Sequence, residues 1–462
     1  MDTNEINDKY RKYLYGLTTY YKEPLPFVKG EGKWLTDASG RRYLDFFGGI
    51  VTVSLGHCHP RVVDAIEKQA RTLQHVSTLF PTIPIVELAE TLEKIFPGER
   101  PAKMFFTNSG TEAIETAILT ARLHTQRTEV IALRHGYHGR SMLSMSLTAH
   151  SNWRLGGVQD PSIRHAMAPY CYRCPLGMKP ESCGTACASD VEDVIRTTTS
   201  GRPAAYIAEP IMGVGGFIVP PKEYPKIVAE IVKRYEALYI ADEVQTGWGR
   251  TGGKWFGIEQ YGVKPDLIVS AKSLGNGHPI GLTMARQEVA DSFKGATIAT
   301  FGGNPVTMAA AKAVVDTIRE EKLMDNATEV GGHPFRLSDD GKPLYHAGAV
   351  FASNYIVASL GTADRLLRLA GLDEPGELLA PLARAVLDVT LSRGPGEALT
   401  GPAARGDTQT VARHLAALSS GAPDVVDSYV ALARAAARLA SEAGRLSEEG
   451  RLALEEELAR WR

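Results

Sequence analysis

The sequence predicts an α/β domain built on a mainly parallel sheet, followed by an all-α C-terminal region. Three observations predict it. Short apolar runs alternate with longer amphipathic stretches through the first part of the chain. Small polar and glycine-rich segments follow several of those runs. Near Gly331 the chain changes character: Lys342 is the only lysine after Lys322, arginine carries the positive charge, and alanine becomes common.

The runs 130–133, 205–208, 238–240 and 267–270 are short and dominated by apolar residues, as expected of strands covered on both faces. The stretches 60–73, 85–95 and 222–235 are amphipathic and long enough for helices packed on those faces. Past the seam the pattern predicts helices only, over about 346–360, 376–392, 408–418, 424–443 and 447–460. The expected division is an N-terminal segment 1–55, a large domain 56–331 and a helical domain 332–462.

With 462 residues the chain has room for two or three domains and a large core. A formal net charge of −2 gives no electrostatic reason to expect nucleic acid or an anionic membrane as partner. The polar, charged N-terminus argues against a secretory signal. The most apolar stretch, 347–360, is short for a bilayer span and contains Ser353 and Asn354. A cytoplasmic protein with no membrane partner is the expectation.

Three separated segments carry chemistry. In the first, Ser109, Gly110 and Thr111 open an amphipathic helix. A helix start presents unpaired N–H groups and a positive dipole end, which suits a phosphate, and the two hydroxyls add donors. The same residues would also serve as a plain helix cap. In the second, an apolar strand ends in Asp242 and Glu243, with Gln245 just beyond. Ligands gather at the carboxyl ends of strands in open α/β sheets, and an acid there can hold a pyridine nitrogen protonated. In the third, an apolar strand delivers Lys272 into a glycine-rich turn. A lysine whose pKa is lowered by burial or nearby positive charge can form a Schiff base.

Phosphate site, acid and lysine stand in that order, and at this point the sequence closely resembles the class III aminotransferases over about residues 10–330. The matching stretches include Gly56-His57-Cys58-His59-Pro60, Asn108-Ser109-Gly110-Thr111-Glu112-Ala113, Tyr137-His138-Gly139, Glu209-Pro210, Asp242-Glu243-Val244-Gln245-Thr246-Gly247, Lys272 and Thr300-Phe301-Gly302-Gly303-Asn304-Pro305. The resemblance implies the fold-type I large domain of enzymes that use pyridoxal phosphate. It implies Lys272 as the Schiff-base lysine and proton shuttle, and Asp242 as partner of the pyridine nitrogen. Gln245 is then near the ring hydroxyl, Tyr137 stacks on the ring with His138 beside it, and Glu209 is a supporting acid. Ser109, Gly110 and Thr111 bind the phosphate, and Thr300 reaches it from the other subunit of a homodimer. The substrates so implied are an amino donor and a 2-oxo acid acceptor.

Two departures from the family stand out. Relatives that use ornithine or 4-aminobutyrate with 2-oxoglutarate carry a glutamate where this chain has Val214, so the segment looks more like the alanine–glyoxylate type, with pyruvate or glyoxylate as acceptor. The family's own small domain, which supplies an arginine for the substrate carboxylate, leaves no trace after Val330. Residues 332–462 instead resemble the helical C-terminal domain of reductase-like proteins, where it follows a Rossmann domain and helps form the dimer. No Rossmann fingerprint precedes it here. The simplest account is a chimera joined near Gly331, leaving either an active transaminase, a cofactor-binding protein with little turnover, or a related reaction such as a mutase. Separately, Cys171, Cys174, Cys183 and Cys187 form a C-x2-C-x8-C-x3-C set in a Pro- and Gly-containing loop, a candidate for structural zinc or for reduced thiols without metal.

Overall fold

A computed structural model describes residues 1–15, 21, 23–156, 159–328 and 342–461. The seam at Gly331 and the motif 333–338 lie outside the described residues. The chain forms two compact units, Met1–His333 and Pro334–Arg462.

The first unit opens with a three-stranded antiparallel sheet of β1 (Phe27–Glu31), β2 (Trp34–Asp37) and β3 (Arg42–Leu44). Its main sheet contains β4 (Ala102–Thr107), β5 (Val130–Leu133), β6 (Ile163–Ala166), β7 (Ala205–Ala208), β8 (Leu238–Asp242), β9 (Leu267–Ser270) and β10 (Gly281–Arg286). The spatial order is β4-β10-β9-β8-β7-β5-β6. The pairs among β5 to β9 are parallel, and β10 runs antiparallel to both β9 and β4. Only ten residues, 271–280, separate β9 from β10, too few for the helical crossover a parallel partner requires. The chain therefore turns back, and β10 is the antiparallel strand of a sheet that is otherwise parallel among the described strands, as the mainly parallel expectation allows.

Alternate residues of each central strand face opposite cores, as the two-residue period requires. Helices α1 (Pro60–Thr72), α2 (Ile83–Ile95) and α3 (Gly110–Thr125) flank the sheet, and Val130, Ala205, Ile207, Leu238, Ile240, Leu267 and Val269 pack under α3. Ile131, Leu133, Tyr206, Tyr239 and Ile268 face the other core with α1, α2, α4 (Ala186–Thr198), α5 (Tyr224–Arg234) and α6 (Pro305–Glu320). The strands expected at 130–133, 205–208, 238–240 and 267–270 are all present, the third extended to Asp242. Strands β4, β6 and β10 escaped the sequence reading. Edge strand β6 reads Ile-Arg-His-Ala with half-buried polar residues at its centre, so it lacks an apolar run.

The second unit is helical. Its core joins Val411, Leu415, Val430, Ala433, Ala437, Leu446, Leu454 and Leu458, in which small alanines allow close helix approach. The helix expected at 346–360 is two, Lys342–Ala352 and Asn354–Leu369, broken at Ser353, which sits at φ −129°, ψ −72°. Helices Pro375–Arg393, Thr408–Gly421, Val426–Glu442 and Glu448–Ala459 follow the other expected spans. Among the described residues no helix is long and apolar enough to cross a membrane.

One glycine fixes the junction between β10 and the helix-opening turn. A Cβ at Gly281 would lie 2.1 Å from the carbonyl oxygen of Ser109 and 2.2 Å from Thr107 Oγ1. Backbone cannot yield as a flexible side chain can, so Gly281→Ala should destabilise the protein by about 1–3 kcal/mol, read as a lower urea midpoint with an unchanged slope.

Candidate active site

Strands β4, β7, β8 and β9 point their carboxyl ends to one edge of the sheet, and the residues that follow them meet there. A cavity of about 190 Å³ is lined by Ser109, Gly110, Thr111, Tyr137, His138, Gly139, Glu209, Asp242, Val244, Gln245, Ala271 and Lys272. This brings together every expected cofactor residue except Thr300. Thr300 is exposed and lines a neighbouring groove of about 750 Å³ with Asn108, Glu115 and Phe301, and Thr111 borders both spaces.

The floor of the cavity is a network of buried acids. Asp242 ends β8 at 3% exposure, and its Oδ2 meets His138 Nδ1 at 2.7 Å while Oδ1 accepts from the Val244 N–H at 3.1 Å. His138 is held in turn by its own N–H, which donates to Thr148 Oγ1 at 2.9 Å. Burial favours the neutral imidazole, but the hydrogen bond and charge of Asp242, with a contribution from Glu209, outweigh it and raise the His138 pKa. His138 Nε2 is buried and has no hydrogen-bond partner among the described residues. Glu209 accepts from the N–H groups of Tyr137 at 2.9 Å and Gly213 at 3.0 Å. Burial and the nearby Asp242 charge push its carboxyl pKa up.

The walls follow from local sequence. Ser109 caps α3, its Oγ accepting from the Glu112 N–H at 3.2 Å, so the capping and phosphate readings fall on the same residue. A Cβ at Gly139 would lie 2.6 Å from Thr111 Oγ1 and 2.7 Å from Ser144 Oγ, so glycine keeps the second wall close to the helix start. Gln245 lies against Gly213, where a Cβ would come within 2.4 Å of its Oε1. The glycine cluster near 213 therefore makes room for Gln245 and donates to Glu209, a role the sequence pattern did not disclose. Tyr137 stands edge-on to Trp153, ring centroids 5.5 Å apart.

Lys272 follows β9 and is half-buried, with its backbone in the left-handed region at φ +41°. Desolvation lowers its amine pKa; Asp242 and Glu209 oppose this and Arg250 reinforces it. The residue set suits a phosphorylated pyridine. A helix start and hydroxyls stand at one part of the wall, a buried anion at the floor, and a lysine with a lowered pKa beside them. The volume is below the roughly 300–1,000 Å³ of drug-sized sites, as befits one small ring.

The cysteine loop gives a different result. Cys171, Cys174, Cys183 and Cys187 line one small cavity of about 20 Å³, yet the described residues contain no group of three or more His, Cys, Asp or Glu arranged to hold a metal ion. Cys183 Sγ donates to the Pro180 carbonyl at 3.6 Å, and burial pushes the Cys187 thiol up to about 11. The structure assembles no ligand set for the expected zinc.

The His138–Asp242 pair makes a pH-dependent prediction. A histidine whose folded pKa is raised contributes stability that is fully present below its ordinary value, near 6.5, and is lost as pH rises through the raised value. Urea unfolding from about pH 6 upward should show this fall in the native chain. In His138→Asn it should be absent, with stability at about pH 6 reduced by roughly 3 kcal/mol because Asp242 loses its buried partner.

The family Aminotransferase class-III matches residues 18–336, and Domain of unknown function (DUF2520) matches residues 308–436. The chain is 41% identical over 314 residues to alanine–glyoxylate aminotransferase 2 homolog 2, mitochondrial, of Arabidopsis thaliana, covering 68% of this chain but 64% of that relative's length. It is 40% identical over 311 residues to a probable 4-aminobutyrate aminotransferase of Bacillus subtilis, covering 66% of this chain and 71% of the relative. An amine transaminase from an uncultivated Pseudomonas species, solved in its PLP-bound form, superimposes with a TM-score of 0.65 at 33% identity, covering 69% of this chain and 77% of that one. By motif, cavity and match over most of its length, the chain belongs to the class III aminotransferases.

Proposed function

We propose that the protein is a pyridoxal-phosphate-dependent transaminase that moves an amino group from an amino acid or ω-amine donor to a small 2-oxo acid, pyruvate or glyoxylate. The observation that carries this reading is the single cavity into which Lys272, Asp242, Gln245, Glu209, Tyr137 and the Ser109–Thr111 turn converge. Bound there, pyridoxal phosphate supplies an aldehyde that condenses with amines and a ring that withdraws electrons from the carbon bearing the nitrogen.

In this reading each residue of the chain has a task. The N–H groups and hydroxyls of Ser109, Gly110 and Thr111 hold the phosphate, and Thr300 of a second copy completes the site in a homodimer. Asp242 keeps the ring nitrogen protonated, with His138 holding the carboxylate in place. Gln245 faces the ring hydroxyl, Tyr137 covers the ring, and Glu209 fixes the Tyr137 and Gly213 backbones. Lys272 would be the covalent anchor, and then the positioned base and acid that moves a proton from the substrate carbon to the cofactor carbon. Its lowered pKa supports that role, because a base must be available near neutral pH.

Val214 supports the choice of acceptor, standing where 2-oxoglutarate-using relatives carry glutamate. The Arabidopsis alanine–glyoxylate relative points the same way, although the Bacillus relative is about as similar. We further read the chain as a cytoplasmic protein with segments 1–55, 56–331 and 332–462, joined near Gly331 to a helical domain related to that of reductase-like proteins. A second reading, a cofactor-binding protein with little turnover, draws on the class III match ending at residue 336, where another family's match already overlaps it.

With L-alanine and glyoxylate the purified chain should form pyruvate and glycine, measured by coupled reduction of pyruvate. Lys272→Ala should lower the rate by roughly 10²–10⁴-fold. Cofactor bound with neither pyruvate formed from alanine nor succinate semialdehyde formed from 4-aminobutyrate in its place would favour the second reading.

A further inference from the structure

Arg250 lies outside the set of residues that line the cavity, yet it joins two segments that meet at the lysine. Its Nη2 donates to Ser54 Oγ at 2.6 Å, to Ser273 Oγ at 3.1 Å and to the Val51 carbonyl at 3.1 Å. Ser54 Oγ also donates to Ser273 Oγ at 2.6 Å, and Ser273 Oγ donates to the Val51 carbonyl at 3.1 Å. Ser273 is the residue next to Lys272 and is buried. Just past the same turn, Asn276 Oδ1 accepts from the Leu55 N–H at 3.0 Å, and its Nδ2 donates to the Gly56 carbonyl at 3.0 Å. The segment 51–56 is thus laced to the turn that carries Lys272, and Arg250 is the cation in the lacing.

A lysine held at φ +41° pays a conformational cost that its surroundings must override. Within this network Ser273 cannot move without breaking contacts to two other segments. Among the described residues, burial lowers the Lys272 amine pKa, Asp242 and Glu209 from the ends of β8 and the β7 loop favour the ammonium, and Arg250 opposes it. We propose that Arg250 is a positioning residue for Lys272, clamping the lysine's turn to segment 51–56 through Ser273 and Ser54. The inference rests on the reading of Lys272 as the cofactor lysine, and its test does not require the cofactor.

Trace acetylation of the full chain with acetic anhydride across a pH series, read by mass spectrometry of the Lys272 peptide, gives the pH midpoint of that amine alone. In Arg250→Met the midpoint should rise, leaving less neutral amine near pH 7.5. Arg250→Lys, which keeps the charge, should restore most of it. Hydrogen exchange should speed up by roughly tenfold at the amides of 273–276 in Arg250→Lys and Ser54→Ala, which break contacts of the clamp while retaining a cation. Should Arg250→Met fail to fold, the exchange rates of those two milder variants carry the test. A folded Arg250→Met with an unchanged midpoint, or milder variants with unchanged exchange, would overturn the inference. Failure of the chain to bind pyridoxal phosphate, with the midpoint shift present, would instead overturn the reading of Lys272 and leave the clamp standing.

Discussion

The site is organised by the need to bury a carboxylate at the end of β8. Asp242 sits in a place where an unpaired charge would cost several kcal/mol. His138 and the Val244 N–H meet that need, and they fix the geometry of everything around them. His138 comes from the loop after β5, so that loop must fold back over β8, where Thr148 holds it. The same fold-back delivers the Tyr137 N–H to Glu209, the acid that follows β7. Glu209 then recruits Gly213, whose missing side chain leaves space for Gln245. One buried ion pair thereby ties three strand ends into a single wall.

How far the sequence disclosed this depends on the range of the interactions. Ser109–Thr111, Asp242 and Lys272 were legible because each lies on a short pattern: a cap before a helix, acids after an apolar strand, a lysine before glycines. Their convergence was legible only through the rule that strand carboxyl ends share an edge. The roles of Gly139, Gly213 and Gly281 were not, because each is set by the atom a Cβ would strike from a distant segment. The Arg250 network was invisible for the same reason, since its partners Ser54 and Ser273 lie far away in the chain on either side. Strands β4 and β10 were missed because their half-polar sequences depend on pairing with each other. The cysteine spacing invited a metal, but spacing does not fix where sulfurs point, and the folded loop directs one thiol to a carbonyl and buries another.

The two units raise a physical question about substrate. Amine transfer between small acids requires a cation for the carboxylate, and in the family's pattern that cation comes from the small domain. Here the C-terminal unit is rich in arginine but belongs to a different sequence pattern, with a core of alanine and leucine between short helices. The residues expected to hold the cofactor, Thr300 excepted, line one cavity of the first unit.

The central claim is that this wall holds pyridoxal phosphate with Lys272 as its covalent anchor. Titration of the cofactor-free chain with pyridoxal phosphate, followed by heat of binding and by the visible spectrum together, tests it most directly. The account predicts one cofactor per chain with a new visible band in the native protein. It predicts binding without that band in Lys272→Ala, where phosphate turn and Asp242 remain. Absence of saturable binding by the native chain, or the same band in Lys272→Ala, would contradict it.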